Sequence, residues 1–386
     1  MAKSFDTTQR EQTSLFVSDT HLFHKRNGAL DIQGLFIEQA DPDRLYLLGD
    51  IIDYEYIQDM LVDQMEIEGI GLQDIPTDFE DVLSMVSFRD MEAHLRFIDI
   101  IMAKVDEGVE VHYITGNHDN NLDLLHRMNI MGVQFHDHMI EDFGGVPTHL
   151  EHGDENDPAC LINYNGLYAR CSEILDAGLV TDHKLKSIFD RFAPDDARYP
   201  FPITNTLKTL GKFFISTFRE NAVRRAVERG AEACVLGHIH KQDIGTMKTV
   251  TRIDDGHPDN LPTILVNEEG FTYRNTGDGL THGTAIMYNG ETDEYSDDGW
   301  HILTRHSLQP SKTFDRGAPN PYEEYRARSL AFLQAGWVTF MRKADLSQGW
   351  DHANADAIND VANDDWQDAP PPPNDYSDDE PSPAYG

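Results

Sequence analysis

Short apolar runs that break off at polar residues punctuate the chain. Thr13–Val17 ends at Ser18-Asp19-Thr20-His21, and Arg44–Leu48 ends at Gly49-Asp50. Val109–Ile114 runs into Gly116-Asn117-His118-Asp119, Val146–Leu150 into His152-Gly153-Asp154, and Ala233–Leu236 into Gly237-His238-Ile239-His240. Runs this short, rich in β-branched residues, suit strands in sheet interiors. Between them the period changes. Phe79, Val82, Leu83, Val86, Met91, Leu95, Ile98, Ile101 and Met102 recur at helical spacing, predicting one helix from Phe79 to Val105, and Asn221 to Arg229 reads as a short helix. Further strands are expected at Thr263–Val266, Phe271–Arg274, Thr284–Tyr288 and Trp300–Thr304. Strands alternating with helices predict an α/β core, built as sandwiched sheets with helices outside.

Two stretches interrupt this pattern. Residues 54–78 lengthen the path between the second and third strands. Residues 155–220 form a long, mostly helical insert, broken at Pro194, Pro200 and Pro202. Its Leu207, Leu210, Phe213, Phe214, Ile215 and Phe218 make an apolar patch. The patch either packs on the core or caps a greasy substrate groove, where it would also allow peripheral membrane contact. A last helix is expected over 322–341. From Asp351 onward there are ten acidic residues and no Lys or Arg, with prolines at 370–373. Such a segment buries too little apolar surface to fold and is expected to be disordered. The expected division is therefore a main domain over 1–310, an extension over 311–350 and a tail over 351–386.

Composition narrows the function. The net charge of −37, from 68 acidic and 31 basic residues, repels nucleic-acid backbones and anionic bilayers, so nucleic acid is a poor partner. No apolar run reaches the roughly 18 residues of a membrane-spanning helix. The start of the chain lacks a basic-then-apolar secretory layout. Cys160, Cys171 and Cys234 fit neither a disulfide framework nor a cysteine metal site. A cytoplasmic location is expected.

The five polar blocks carry the candidate chemistry. They supply Asp19, His21, Asp50, Asn117, His118, His152, His238 and His240 at the ends of predicted strands, where α/β sheets gather their ligands. Asp19 and His21 lie two apart, as do His238 and His240, and residues i and i+2 of an extended chain point the same way. Carboxylate with imidazole suits manganese, iron or zinc. The seven metal-ligand candidates (the eight without His118) are too many for one tetrahedral ion, but fit a pair sharing a carboxylate. His136 and His138, also two apart, are the alternative to His152, but no glycine turn follows them.

Asp19-Thr20-His21, Gly49-Asp50-Ile51-Ile52-Asp53, Gly116-Asn117-His118-Asp119, His152-Gly153 and Gly237-His238-Ile239-His240 together resemble the calcineurin-like metallophosphoesterase family over roughly residues 13–290. The resemblance implies a four-layer α/β/β/α sandwich with a helical cap insert and a dinuclear centre. It implies one metal on Asp19, His21, Asp50 and His240, and another on Asp50, Asn117, His152 and His238. Manganese is the first expectation, with iron or zinc as alternatives. Two dications lower the pKa of bound water, which implies hydrolysis of a phosphate ester or diphosphate of a small molecule. His118 would then serve as the general acid beside the substrate, Asp119 would orient its ring, and Asp53 would brace the ligands.

His152-Gly153-Asp154-Glu155-Asn156-Asp157 and Tyr273-Arg274-Asn275-Thr276-Gly277-Asp278 look like the branch around UDP-2,3-diacylglucosamine pyrophosphatase. That likeness implies a nucleotide-diphosphate lipid-like substrate, with Arg274, Asn275 and Lys241 near its phosphates. The lipid A enzymes of that branch usually carry Arg where His118 stands. Tyr54 and Asp119 stand where protein Ser/Thr phosphatases carry Arg and Glu, and no basic stripe suited to a nuclease is present. A phosphodiesterase or nuclease of the same fold, or a metal-binding scaffold without catalysis, remain the alternatives.

Overall fold

Alternation of side chains about the strands sorts the apolar runs into layers. In β1 (Thr13–Val17), Leu15 and Val17 join one core and Phe16 joins another. In β2 (Arg44–Leu48), Leu45 and Leu47 oppose Tyr46 and Leu48, and in β3 (Glu110–Ile114), Val111 and Tyr113 oppose Ile114. The structure, a computed structural model, describes residues 13–24, 30–71, 74–86, 91–157, 217–240, 242–253, 263–277, 283–290, 299–308 and 320–348. Most of the 155–220 insert, the 351–386 tail, Lys241, Cys160 and Cys171 lie outside the described residues.

The remaining strands are β4 (Asn129–Ile130), β5 (Val133–His136), β6 (Met139–Phe143), β7 (Val146–Leu150), β8 (Ala233–Leu236), β9 (Asp243–Ile253), β10 (Thr263–Asn275), β11 (Ala285–Asn289) and β12 (Trp300–Leu303). They form a seven-stranded sheet, β12-β11-β1-β2-β3-β5-β4, and a five-stranded sheet, β6-β7-β8-β10-β9. β1, β2 and β3 run parallel in the first, and β7, β8 and β10 run parallel in the second. With β5, also parallel to β3, the larger sheet thus gathers the carboxyl ends of four strands along one edge, and the smaller sheet those of three.

Between the sheets lie Phe16, Tyr46, Leu48, Ile114, Phe143, Leu150 and Val235, with Trp300 packed against them. The outer face of the larger sheet is covered by α1 (Leu30–Ala40), α2 (Tyr54–Glu68), α3 (Phe79–Met85), α4 (Met91–Asp106) and the C-terminal helix. The outer face of the smaller sheet is covered by α5 (217–228), through Phe218, Ala222, Val223 and Ala226 on Cys234, Leu236, Phe271 and Tyr273. The expected α/β/β/α order of layers is present. Of the apolar patch, the described Phe218 packs on this core and is 1% exposed.

Three elements differ from expectation. The single helix over Phe79–Val105 is two, because Val86 leaves helical geometry at φ −100° and ψ 125°. The strands at Thr263–Val266 and Phe271–Arg274 are one strand, β10, whose pairing with β9 slips between Asn267 and Gly270. Residues 54–68, taken only as a lengthened path, form α2, capped by the Asp53 side chain accepting from Tyr56 N–H.

The last helix, α6 (Arg326–Gln348), follows a single 3₁₀ turn. Compact units divide the chain at Met341, and the helix up to that residue belongs to the first. Its Leu333 and Trp337 are fully buried beside Tyr54 and Phe79. Arg326 reaches the fully buried Asp99 of α4 at 2.9 Å.

Candidate metal centre

The two parallel strand edges bring six loops together. The turns after β1 and β2 zip to each other: Asp19 N–H donates to Gly49 O at 3.0 Å, and His21 N–H donates to Asp50 O at 2.8 Å. Within the smaller sheet, the turns after β7 and β8 are tied in the same way: Gly237 N–H donates to His152 O at 2.9 Å. Backbone amides then cap the buried acids. His118 N–H donates to Asp50 Oδ1 at 2.8 Å, and His238 N–H donates to Asp19 Oδ2 at 3.0 Å. Ser18 Oγ also donates to Asp19.

The paired residues converge, but not as extended chain. Asp19, His21, Asp50, His238 and His240 all take left-handed backbone, with φ between 46° and 71°. Such conformations cost on the order of 1–3 kcal/mol each and cluster at functional sites. Three glycines allow the close approach. A Cβ on Gly49 would lie 2.5 Å from the His152 ring, one on Gly116 would lie 2.7 Å from Asp50 N, and one on Gly237 would lie 2.6 Å from Asp19 Oδ2.

Three clusters of potential ligand atoms result: Asp19, His21 and His240; Asp50, His152 and His238; and His21, Asp53 and His118. In the first, His240 Nε2 lies 3.2 Å from Asp19 Oδ1 and 3.4 Å from His21 Nε2. In the second, His152 Nε2 lies 3.2 Å from Asp50 Oδ2, 3.3 Å from Asn117 Oδ1 and 3.3 Å from His238 Nδ1. Asp50 also lies 3.8 Å from His21 Nε2, so it touches the first cluster as well.

The electrostatics pair these groups with positive charge. Burial favours a neutral acid at Asp50, but the neighbouring His152 outweighs it and holds the carboxyl well below its usual range. Burial likewise opposes charge on His152, and Asp50 reverses that, raising the imidazole well above its ordinary value. His118 is pushed up to about 9, its burial outweighed by Asp53 and Asp50. Carboxylates are thus ionised in a nearly dry pocket, with imidazole nitrogens facing one another around them. Asp, Asn and His donors in this arrangement fit first-row divalent cations. His152 Nδ1–H donates to Leu48 O at 2.8 Å, which aims Nε2 at the cluster, where a metal would take the place of its proton.

Other expected residues sit elsewhere. Asp119, expected beside the His118 ring, is fully buried and accepts from Ile51 N–H at 3.0 Å, Tyr113 OH at 2.7 Å and Gly116 N–H. The carboxylate that faces His118 Nδ1, at 3.4 Å, belongs to Asp53, which also lies 3.4 Å from His21 Nδ1. Asn275, expected near phosphate, is fully buried, donates to Gly237 O and accepts from Gly277 N–H at 3.1 Å. Arg274 is 4% exposed, with its guanidinium 3.9 Å above the Trp300 ring in the core between the sheets. His136 pairs with His112 at 3.2 Å, and His138 faces Asp137 at 3.0 Å, so neither joins the clusters. Nothing in the spacing singles out Asp157, yet its Oδ2 lies 3.0 Å from His238 Nε2.

The family model for calcineurin-like phosphoesterases matches residues 13–242, more than half of the chain and every residue of the three clusters. The chain belongs to that family. Calcineurin-like phosphoesterases use metal ions to hydrolyse phosphoesters, and the clusters of Asp and His donors accord with that membership.

No curated protein matches the chain. Among solved structures, a conserved uncharacterized protein from Streptococcus pneumoniae TIGR4, a predicted phosphoesterase, is 11% identical with a TM-score of 0.27, over 76% of this chain and 98% of its own. Vacuolar Protein Sorting 29 from Cryptosporidium parvum is 10% identical with a TM-score of 0.28, over 76% of this chain and 99% of its own. At these values neither likeness carries an argument about this chain. Among the described residues, no helix is long and apolar enough to cross a membrane.

Proposed function

We propose that the chain is a dinuclear metal-dependent phosphoesterase acting on a phosphate ester or diphosphate of a small molecule. The observation that carries this reading is the sharing of Asp50 between the two ligand clusters, 3.2 Å from His152 and 3.8 Å from His21. In this reading Asp19, His21, Asp50 and His240 hold one ion, and Asp50, Asn117, His152 and His238 hold the other. Bound dications supply water activation and neutralise phosphoryl oxygens. Manganese is the first ion to test, and iron or zinc suit the same donors.

The protein's own groups do the rest. The His118 side chain is 38% exposed at the rim of the clusters, within reach of a bound substrate. Its ring delivers a proton to the leaving oxygen, and Asp53 steadies Nδ1 so that Nε2 serves as the donor. Asp53 also caps α2, so the acid partner is fixed by a helix start. Asp119 and Asn275 act as braces for the Gly116-Asn117-His118 and Gly237-His238 turns, through the bonds described above. A nucleotide-diphosphate lipid remains the first substrate to try, on the strength of the His152–Asp157 motif alone.

The test is manganese-dependent turnover of p-nitrophenyl phosphate and its bis ester by the purified chain. A panel of nucleotide-diphosphate lipids, cyclic nucleotides, phosphoproteins and DNA ends should follow. Turnover that requires metal supports the reading. Two bound metals without turnover on any of these would leave a metal-binding scaffold.

A further inference from the structure

We propose that Asp157 is a positioning residue of the metal centre, acting through the ring of His238 to present Nδ1 to the metal. This inference rests on the dinuclear reading above and concerns one of its two ions.

An imidazole ligand offers one nitrogen to a metal, and what the other nitrogen meets decides which one is free. His152 and His238 solve this in opposite ways. His152 gives Nδ1–H to Leu48 O at 2.8 Å and turns Nε2 inward. His238 turns Nδ1 inward, 3.3 Å from His152 Nε2, and places Nε2 3.0 Å from Asp157 Oδ2. A carboxylate at that distance keeps the proton on Nε2, leaves the Nδ1 lone pair free and makes the ring a stronger donor. The plane of the ring is fixed as well. Phe218 stacks on it at 5.9 Å with 21° between the rings, and the His238 amide is tied to Asp19.

Asp157 is held in place by its own segment. Its N–H donates to Asp154 O at 3.1 Å, closing the turn Asp154–Asn156. Asn156 is 1% exposed; its side chain donates to Glu151, and its carbonyl accepts from Asn221 of α5 at 2.9 Å. Glu151 is itself 4% exposed and paired with Arg229, in the turn that follows α5, at 3.1 Å. The helix on the outer face of the smaller sheet therefore anchors the segment that carries Asp157. The side chains of Asp157 and His238 are 18% and 11% exposed, a setting in which the contact is not the loose pairing of an open surface.

The metal itself is the probe. The metal-free full chain is titrated with Mn²⁺, and bound and free ion are read by electron paramagnetic resonance. Wild type should take up two ions. Asp157→Asn should weaken one of them by about 10- to 100-fold and leave the other unchanged, and Asp157→Glu should restore part of the loss. Unchanged affinity at both sites in Asp157→Asn, or equal loss at both, overturns the proposal. A wild type that binds fewer than two ions instead overturns the dinuclear reading, so the two failures are distinct. A second measurement does not need the variant to fold. In the Co²⁺-loaded wild type with isotope-labelled histidine, the His238 Nε2–H should give a shifted proton signal that exchanges slowly with water, assigned by its attachment to a ring nitrogen and its proximity to the Phe218 ring. Exchange too fast to observe overturns the carboxylate contact.

Discussion

At the residue scale, the site is built from backbone that most residues avoid. Asp19 and His21, and His238 and His240, were expected to aim together because extended residues two apart share a face. They do meet, but through left-handed kinks at each position, so the spacing was legible and its cause was not. Asp and His tolerate this region better than bulkier residues, which fits their appearance there. Asp157 escaped the reading, and Asp53 was read as a brace of the ligands but not as the partner of His118, because these partners lie far away along the chain. Two outcomes belong at this scale. His118→Ala should keep both metals and lose roughly 10²-fold or more in rate, measured against metal content. Wild-type turnover would remove His118 from the reaction. Gly116→Ala should act differently, because its new Cβ would press on Asp50 and on His152 Cδ2, 2.7 Å away. We expect metal content after gel filtration to fall, with affinity down by about 10-fold or more. Full occupancy would show that the loop yields without cost.

At the element scale, strand ends were the most legible feature and helix interiors the least. β1, β2, β7 and β8 begin and end where the apolar runs do. The long amphipathic period over Phe79–Val105 hid a break, since the apolar face continues across α3 and α4 while the backbone turns at Val86. α6 was legible as a helix, but its docking was not. Tyr54 OH donates to Leu333 O at 3.1 Å, and Trp337 Nε1–H donates to Pro76 O at 3.1 Å, so this helix braces the start of α2 and the approach to α3. Arg326 supplies the charge for Asp99, which Asn320 also meets at 2.8 Å. Arg326→Ala should therefore cost about 3–5 kcal/mol of folding stability, nearer the lower end because Asn320 remains. Urea unfolding measures it, and a cost below about 1 kcal/mol would mean that water reaches Asp99.

At the scale of the whole molecule, two buried histidines tie stability to pH. Burial, with His136 nearby, lowers His112 to about 4. Burial, with Arg229 nearby, lowers His149 to about 3. Both stay neutral in the folded chain under conditions where an unfolded imidazole, at about 6.5, is charged. The unfolded state then binds more protons at these two sites, so their contribution to stability is full above about pH 6.5 and is lost as pH falls toward 4 and 3. Denaturant midpoints at pH 7.5 and 5 should differ accordingly, and the gap should shrink when both histidines are replaced by Gln. An unchanged gap would assign the acid sensitivity to other groups. The order of layers was legible from strand and helix alternation together with the motif resemblance. The sheet partners of β9 and β10 were not, because pairing across such a distance leaves no local period. Asp19, Asp50 and Asn117 leave one sheet, while His152, His238 and His240 leave the other. In the proposed centre a cation gripped from both sides would work as a rivet at the rim of a seam whose middle is closed by greasy contacts, so prising the sheets apart and letting the ion go would become one and the same event.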